Sequence, residues 1–205
     1  MSYAISGLGQ IAAVHGDLRE ARQRYEEALA IRNEIGEKGT TAESRLALAT
    51  VSLEEGRPAE AEGPAGEAAE QFREQKDADN EALALAILAR SLLAQNKPSE
   101  AQQGIARAPG VGSAYPRLSM AIVAARVDAA SGKPAAAFES LKTTLAKATN
   151  TGMLGLQFEA RLALGEIEMK SGDRAAGQAR LEALEREAAA RGYGLIARKA
   201  KRLRQ

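Results

Sequence analysis

Five stretches, VHGDLREA (14–21), EEGRPAEA (54–61), AQNKPSEA (94–101), ASGKPAAA (130–137) and KSGDRAAG (170–177), write nearly the same event: a short turn, then the start of an alanine-rich helix. With the turn residue of each as a marker, Gly16, Gly56, Asn96, Gly132 and Gly172 fall at steps of 40, 40, 36 and 40. Gly and Asn most readily adopt the left-handed conformation that ends a helix. Two positions on stand Leu18, Pro58, Pro98, Pro134 and Arg174. Proline suits a first helical turn, where its missing N–H costs nothing. The two stretches without it carry Asp17 and Asp173, which are expected to act as N-caps.

Reading outward from the marker, two columns are small in every unit. Seven residues before it stand Gly9, Ala49, Ala89, Ala125 and Gly165; five after it stand Ala21, Ala61, Ala101, Ala137 and Gly177. Small residues on both arms of a helical hairpin let the two backbones approach closely. Larger residues in the neighbouring columns, Leu8, Leu48, Leu88, Ala124 and Leu164 before and Tyr25, Ala65, Ile105, Leu141 and Leu181 after, are expected to fill the gap between helices.

Composition agrees with an all-helical fold. Of the 205 residues 45% are hydrophobic but only 3% aromatic, so Ala and Leu must do the packing, and strands lack the β-branched and aromatic residues they favour. The balance of 28 basic and 27 acidic residues, net +1, argues against a dedicated nucleic-acid or membrane-surface protein. The chain has no Cys, hence no disulfide framework and no thiolate metal site, which fits a reducing cytosol. With no apolar run near 18 residues and no basic-then-apolar stretch in this sequence, neither a membrane span nor export is expected.

The first unit, with Leu8, Gly9, Gly16, Asp17, Ala21, Tyr25, Ala28 and Leu29, resembles the tetratricopeptide repeat. That unit is usually about 34 residues; the 40-residue steps here are similar to the longer-helix variety of bacterial signalling and regulatory proteins, with YEEALAIRNEIGEKG as its second helix. The resemblance covers almost the whole chain, is strongest in the first and fifth units, and weakest in the fourth.

It implies an all-α solenoid of five helical hairpins plus a C-terminal capping helix, coiled as a right-handed superhelix. The single repeat domain, 1–205, divides into units of about 2–39, 40–77, 78–112, 113–150 and 151–190, with the cap at about 192–205. First helices are expected near 3–14, 41–54, 79–95, 114–130 and 154–171, and second helices near 18–36, 58–75, 98–107, 134–149 and 174–190. Pro64, with Gly63 and Gly66 nearby, should kink the second helix of unit two. Pro109-Gly110-Val111-Gly112 should form the longest loop. Because the chain enters a repeat within three residues, a longer protein is expected, with a preceding part covering that end.

Catalysis is not expected. Gly7-Leu8-Gly9-Gln10-Ile11-Ala12 matches a dinucleotide fingerprint on paper, but that motif needs a strand before it and here lies in a repeat helix. His15, the only histidine, has no second ligand of its kind for a metal. Carboxylate pairs such as Glu26/Glu27 and Glu54/Glu55 sit among Arg and Lys on polar faces, without the burial that would separate their pKa values. No cofactor or metal is implied. The basic tail of Arg198, Lys199, Lys201, Arg202 and Arg204 suits the C-terminal dipole of a cap helix, and no aromatic residue is interleaved to stack on bases.

In a tetratricopeptide stack the first helices line a concave groove. Here the resemblance places Gln10, Leu46, Thr50, Arg90, Ile122, Arg126, Leu162 and Glu166 on that side, flanked by Leu53, Leu83, Leu93 and Met169. An apolar strip dotted with polar groups suits a peptide or helix of a protein partner; Arg90 and Arg126 suit acidic residues on it. Either arginine could instead pair with a Glu of its own stack. The family's Lys/Asn/Arg clamp for a C-terminal carboxylate does not carry over, its places being taken by Ser6, Gln10, Ala47, Leu83 and Ile87. The expected function is therefore a non-catalytic, cytoplasmic interaction scaffold; the alternative is the sensory or regulatory portion of a larger signalling protein, a kinase or transcription regulator, acting on its own chain.

Overall fold

The computed structural model describes residues 1–36 and 38–205. Among them lie eleven α-helices and no strand. First helices of the hairpins are α1 (Ser2–His15), α3 (Lys38–Glu54), α5 (Ala78–Ala94), α7 (Ala114–Ala130) and α9 (Leu154–Ser171). Second helices are α2 (Leu18–Ile35), α4 (Pro58–Glu74), α6 (Pro98–Ala106), α8 (Pro134–Asn150) and α10 (Arg174–Ala190), and α11 (Gly194–Arg204) closes the series. The largest departure from the expected boundaries is the start of α3, at Lys38 rather than 41. The loop between α6 and α7, residues 107–113, is the longest among the described residues.

Helix ends follow from the marker residues. All five take the left-handed conformation, with φ of 89°, 80°, 60°, 85° and 105° at Gly16, Gly56, Asn96, Gly132 and Gly172, so the fourth unit keeps its register. The next N–H then reaches back to the last turn, as from Arg57 to the Ser52 carbonyl at 2.9 Å and from Lys133 to Asp128 at 2.9 Å. Pro58, Pro98 and Pro134 each open a second helix as expected. Asp173 caps α10 through the Ala176 N–H at 3.3 Å. Asp17 does not cap α2: its carboxylate makes no such bond and stays exposed, while its backbone carbonyl alone receives the Ala21 N–H.

A second set of left-handed residues lies between hairpins: Gly36, Lys76, Gly152 and Gly192. Each stands 20 residues after its marker, so one half-unit repeats within the larger one. In α4, Pro64 sits inside a helix that continues through it. Its predecessor is Gly63, and a residue before proline is driven from helical geometry by its own Cβ. Glycine has none, which lets Pro64 pass without breaking the helix.

The chain divides into two compact units, Met1–Ala13 with Asp17–Met120, and Val14–Gly16 with Ala121–Gln205. In the first, α2 and α4 are each buried against the helices before and after them. Ala12 of α1, Ala21 and Tyr25 of α2 and Val51 of α3 form one cluster; Ala42 of α3, Ala68, Ala69 and Phe72 of α4 and Leu85 of α5 belong to another. In the second, Phe158 and Leu162 of α9, Leu181 and Leu184 of α10, and Ile196, Ala197 and Ala200 of α11 share a core. The Tyr193 ring meets Phe158 edge-on, centroids 5.0 Å apart. α11 is thus the expected closing helix, covering α10 with its apolar stripe.

Both small columns are buried in every hairpin. Where they hold glycine, nothing larger fits as the structure stands. A Cβ on Gly165 would lie 2.7 Å from Leu181 Cγ, one on Gly9 2.9 Å from the Tyr25 ring, and one on Gly177 2.9 Å from the Met169 backbone nitrogen. The preceding column is less uniform than expected. Leu164 is buried, Leu48 and Leu88 are half-buried, and Leu8 is 51% exposed because, among the described residues, no helix lies over that side of α1.

Candidate interaction surface on the first helices

Within the first unit, α3 and α5 bring together most of the expected strip. Leu46, Leu53, Leu83 and Leu93 are all half-buried: Leu46 packs beside Phe72, Leu53 beside Ala49 and Ala61, and each keeps part of its side chain open. Thr50 turns its hydroxyl inward and donates it to the Leu46 carbonyl at 2.9 Å. Gln10, on α1, is exposed. Arg90 does not project freely; it donates to the Glu54 carboxylate of the preceding first helix, and both side chains are largely buried.

Within the second unit the strip is mostly closed. Ile122 and Leu162 are core residues, 3% and 1% exposed, so they cannot line a groove: in this unit their position on α7 and α9 points into the packing. Met169 is half-buried against the same core and lies over Gly177. What stays near the surface is charged. Arg126 of α7 lies 3.5 Å from Glu159 and 3.8 Å from Glu166, both on α9. Glu159 is 3.7 Å from Lys199 of α11, and Glu166 is 2.8 Å from Lys170. Burial pushes the Glu166 carboxyl up, but Arg126, Lys170 and Lys199 more than reverse this and hold it below its ordinary value.

The arginines of both units therefore take the pairing with a Glu of their own stack that the sequence left open. Ion pairs join successive first helices in each unit: Arg90 with Glu54 between α5 and α3, and Arg126 with Glu159 and Glu166 between α7 and α9. The carboxylate pairs behave likewise: Glu55 accepts from Arg22 at 2.7 Å, and burial, which pushes its carboxyl up, is outweighed by Arg22 and Arg57. In the basic tail, Lys199 and Arg204 pair back onto α9 and α10 and Arg198 donates to the Gly16 carbonyl, while Lys201 and Arg202 are exposed.

Sequence reasoning missed Arg32. Its side chain is 2% exposed and donates to the Thr40 carbonyl at 2.8 Å and Ser44 Oγ at 2.7 Å, tying the end of α2 to α3. A pocket opens beside it, with Arg45 and Thr41 on one wall and Glu67, Glu70 and Glu74 of α4 on the other. The signal was present: Arg32 follows Ala21, Tyr25 and Ala28 at helical spacing on the buried stripe of α2. Its charge alone made it look like surface.

Among the described residues no helix is long and apolar enough to cross a membrane, and no group of three His, Cys, Asp or Glu side chains is gathered as a metal would need. No protein-family model and no curated protein matches the chain. Its fold is that of TPR-like repeats. Two crystal structures of the nearly identical TPR-like repeats of a candidate kinesin light chain from Podosopora anserina, one of them a single-substitution variant, are similar to it. The variant has a TM-score of 0.57 at 19% identity, over 92% of this chain and 94% of that one. The other has 0.56 at 19% identity, over 92% and 95%.

Proposed function

We propose that the chain is a non-catalytic scaffold that holds a peptide or helical segment of a partner protein against the first helices of its first compact unit. The observation that carries this reading is the half-open leucine strip on α3 and α5, Leu46, Leu53, Leu83 and Leu93, set beside the Arg90–Glu54 pair. Half-buried leucines offer anchors whose burial on binding is favourable at about 25 cal/mol per Å². The ion pair orients: the Arg90 guanidinium is the positive group toward which a partner carboxylate turns. The partner segment carries acidic residues between hydrophobic ones. In the second unit, Arg126 and Glu166 mainly hold α7 to α9, with Ile122 and Leu162 inside the core.

A displayed peptide library selected on the intact protein tests this. Segments alternating hydrophobic and acidic residues should be enriched, and their binding should weaken with salt. Leu93→Asp should lower affinity about tenfold or more, while Arg202→Asp on the tail leaves it unchanged. Enrichment of basic segments, or binding indifferent to Leu93→Asp, overturns the reading.

A further inference from the structure

The cleft beside Arg32 lies wholly within the first compact unit, and none of the strip leucines lines it. Its walls are the end of α2, the start of α3 and the second half of α4, around a volume of about 670 Å³. Small-molecule sites span roughly 300–1,000 Å³, so the cleft has room for a small ligand.

Its two sides carry opposite charges that do not neutralise one another. On the α3 side, Arg45 is half-buried and, among the described residues, has no ion-pair partner. On the α4 side, Glu67 and Glu74 are exposed and equally without a partner among the described residues, while Glu70 pairs with Arg73 of its own helix. The gap across the cleft is therefore wider than an ion pair can bridge.

Thr41 is a second, independent sign. It lines the cleft and is only 6% exposed, yet among the described residues its hydroxyl makes no hydrogen bond. A buried hydroxyl ordinarily has a partner. Arg32, on the same side, is fixed by the Thr40 carbonyl and Ser44 Oγ, with the Tyr3 ring 5.2 Å from its guanidinium, and its buried Nε has no partner. Helix ends reinforce the polarity. Thr41 lies in the first turn of α3, where backbone N–H groups carry the positive end of the helix dipole. Glu74 is the last residue of α4, where the dipole is negative and a cation is favoured.

The geometry points to a binding site for a small zwitterion of short-peptide size, its carboxylate against Arg45 and Thr41 and its ammonium group against Glu67 and Glu74. A simple anion would face the carboxylates of α4, and a simple cation the guanidinium groups of Arg32 and Arg45. A ligand with opposite charges at its two ends suits both walls, and a planar guanidinium pairs well with a carboxylate.

Titration calorimetry of the intact chain with trialanine, N-acetyl-trialanine and trialanine amide tests this. Trialanine should bind with a dissociation constant below about 1 mM, and blocking either end should weaken binding about tenfold or more. Arg45→Gln should weaken trialanine to the same degree but leave trialanine amide unaffected, since the carboxylate it would meet is already gone. Glu67→Gln combined with Glu74→Gln should behave in the same way toward N-acetyl-trialanine. None of the three residues has a partner to lose, so melting temperatures without peptide should match the parent. Trialanine binding weaker than about 1 mM, blocked peptides that bind as well as the free one, or an Arg45→Gln loss that is the same for the amide as for trialanine overturns the proposal.

Discussion

Gly165 offers a measurement in which two opposing effects can be separated. In an ordinary exposed helix, Gly→Ala stabilises by about 0.5–1 kcal/mol because alanine loses less backbone entropy on folding. At Gly165 the added methyl would sit 2.7 Å from both Cγ and Cδ2 of Leu181, well inside van der Waals contact. Leu181 is fully buried in the α9–α10–α11 core, so it cannot swing into solvent. Overpacking of this kind costs about 1–3 kcal/mol. Gly66 of α4 is the control, helical and half-buried, with nothing within 4 Å of its would-be Cβ. Because the entropic gain is common to both, the gap between Gly165→Ala and Gly66→Ala reports the packing cost alone, at about 1–3 kcal/mol. Guanidinium unfolding followed by circular dichroism should show Gly66→Ala more stable than the parent and Gly165→Ala less. Equal shifts in the same direction would mean that the hairpin has slack, and that the glycine column does not set how closely its helices approach.

Gly63→Ala should fail to stabilise α4 in the native sequence, since its Cβ would crowd the Pro64 ring. Combined with Pro64→Ala it should stabilise; additivity of the two substitutions in a double-mutant cycle would refute the coupling. Lys76 has φ of 59° on an exposed turn. Lys76→Gly should therefore raise unfolding free energy by about 1 kcal/mol, and a loss of stability would show that the lysine side chain holds that turn. Glu166, whose carboxyl lies below its ordinary value of 4.5, adds stability that is complete above that value and disappears as pH falls through the lower folded value. The stability difference between native protein and Glu166→Gln should accordingly shrink on acidification; a difference that stays constant or grows rejects the Arg126–Glu166 linkage.

Helix placement was legible in the sequence because helix ends are local. A left-handed Gly or Asn, a following Pro and columns of small residues act within a few positions of one another, so one chain segment carries the whole signal. The half-unit was also written there, in Gly36, Gly152 and Gly192 at 20 residues from their markers, but Lys76 masks one instance and the short third hairpin removes another. The interaction strip was less legible. Whether Leu162 faces outward or joins Leu181 depends on small rotations of a helix about its axis, which column spacing does not resolve. Arg90 and Arg126 were located correctly on their helices, yet their pairing depends on carboxylates 36 and 33 residues away. Arg32 was overlooked because a buried guanidinium is rare enough that charge outweighs spacing in any reading of residue type.

The twenty-residue beat has a consequence for how such a chain changes over generations. Gly16 and Gly56 do the same geometric task at the same place in successive hairpins, each followed by the opening of a second helix. A hairpin in such a series takes most of its contacts from its immediate neighbours. Excising residues 17–56 would therefore join Gly16 to Arg57 across a junction the chain already contains, and set α1 against α4 much as α3 now is. Duplication of the same segment would be equally discreet. Heritable length variation can proceed here by whole hairpins with no new turn to invent, whereas a gain or loss of one or two residues inside a helix would rotate every small column out of its contact.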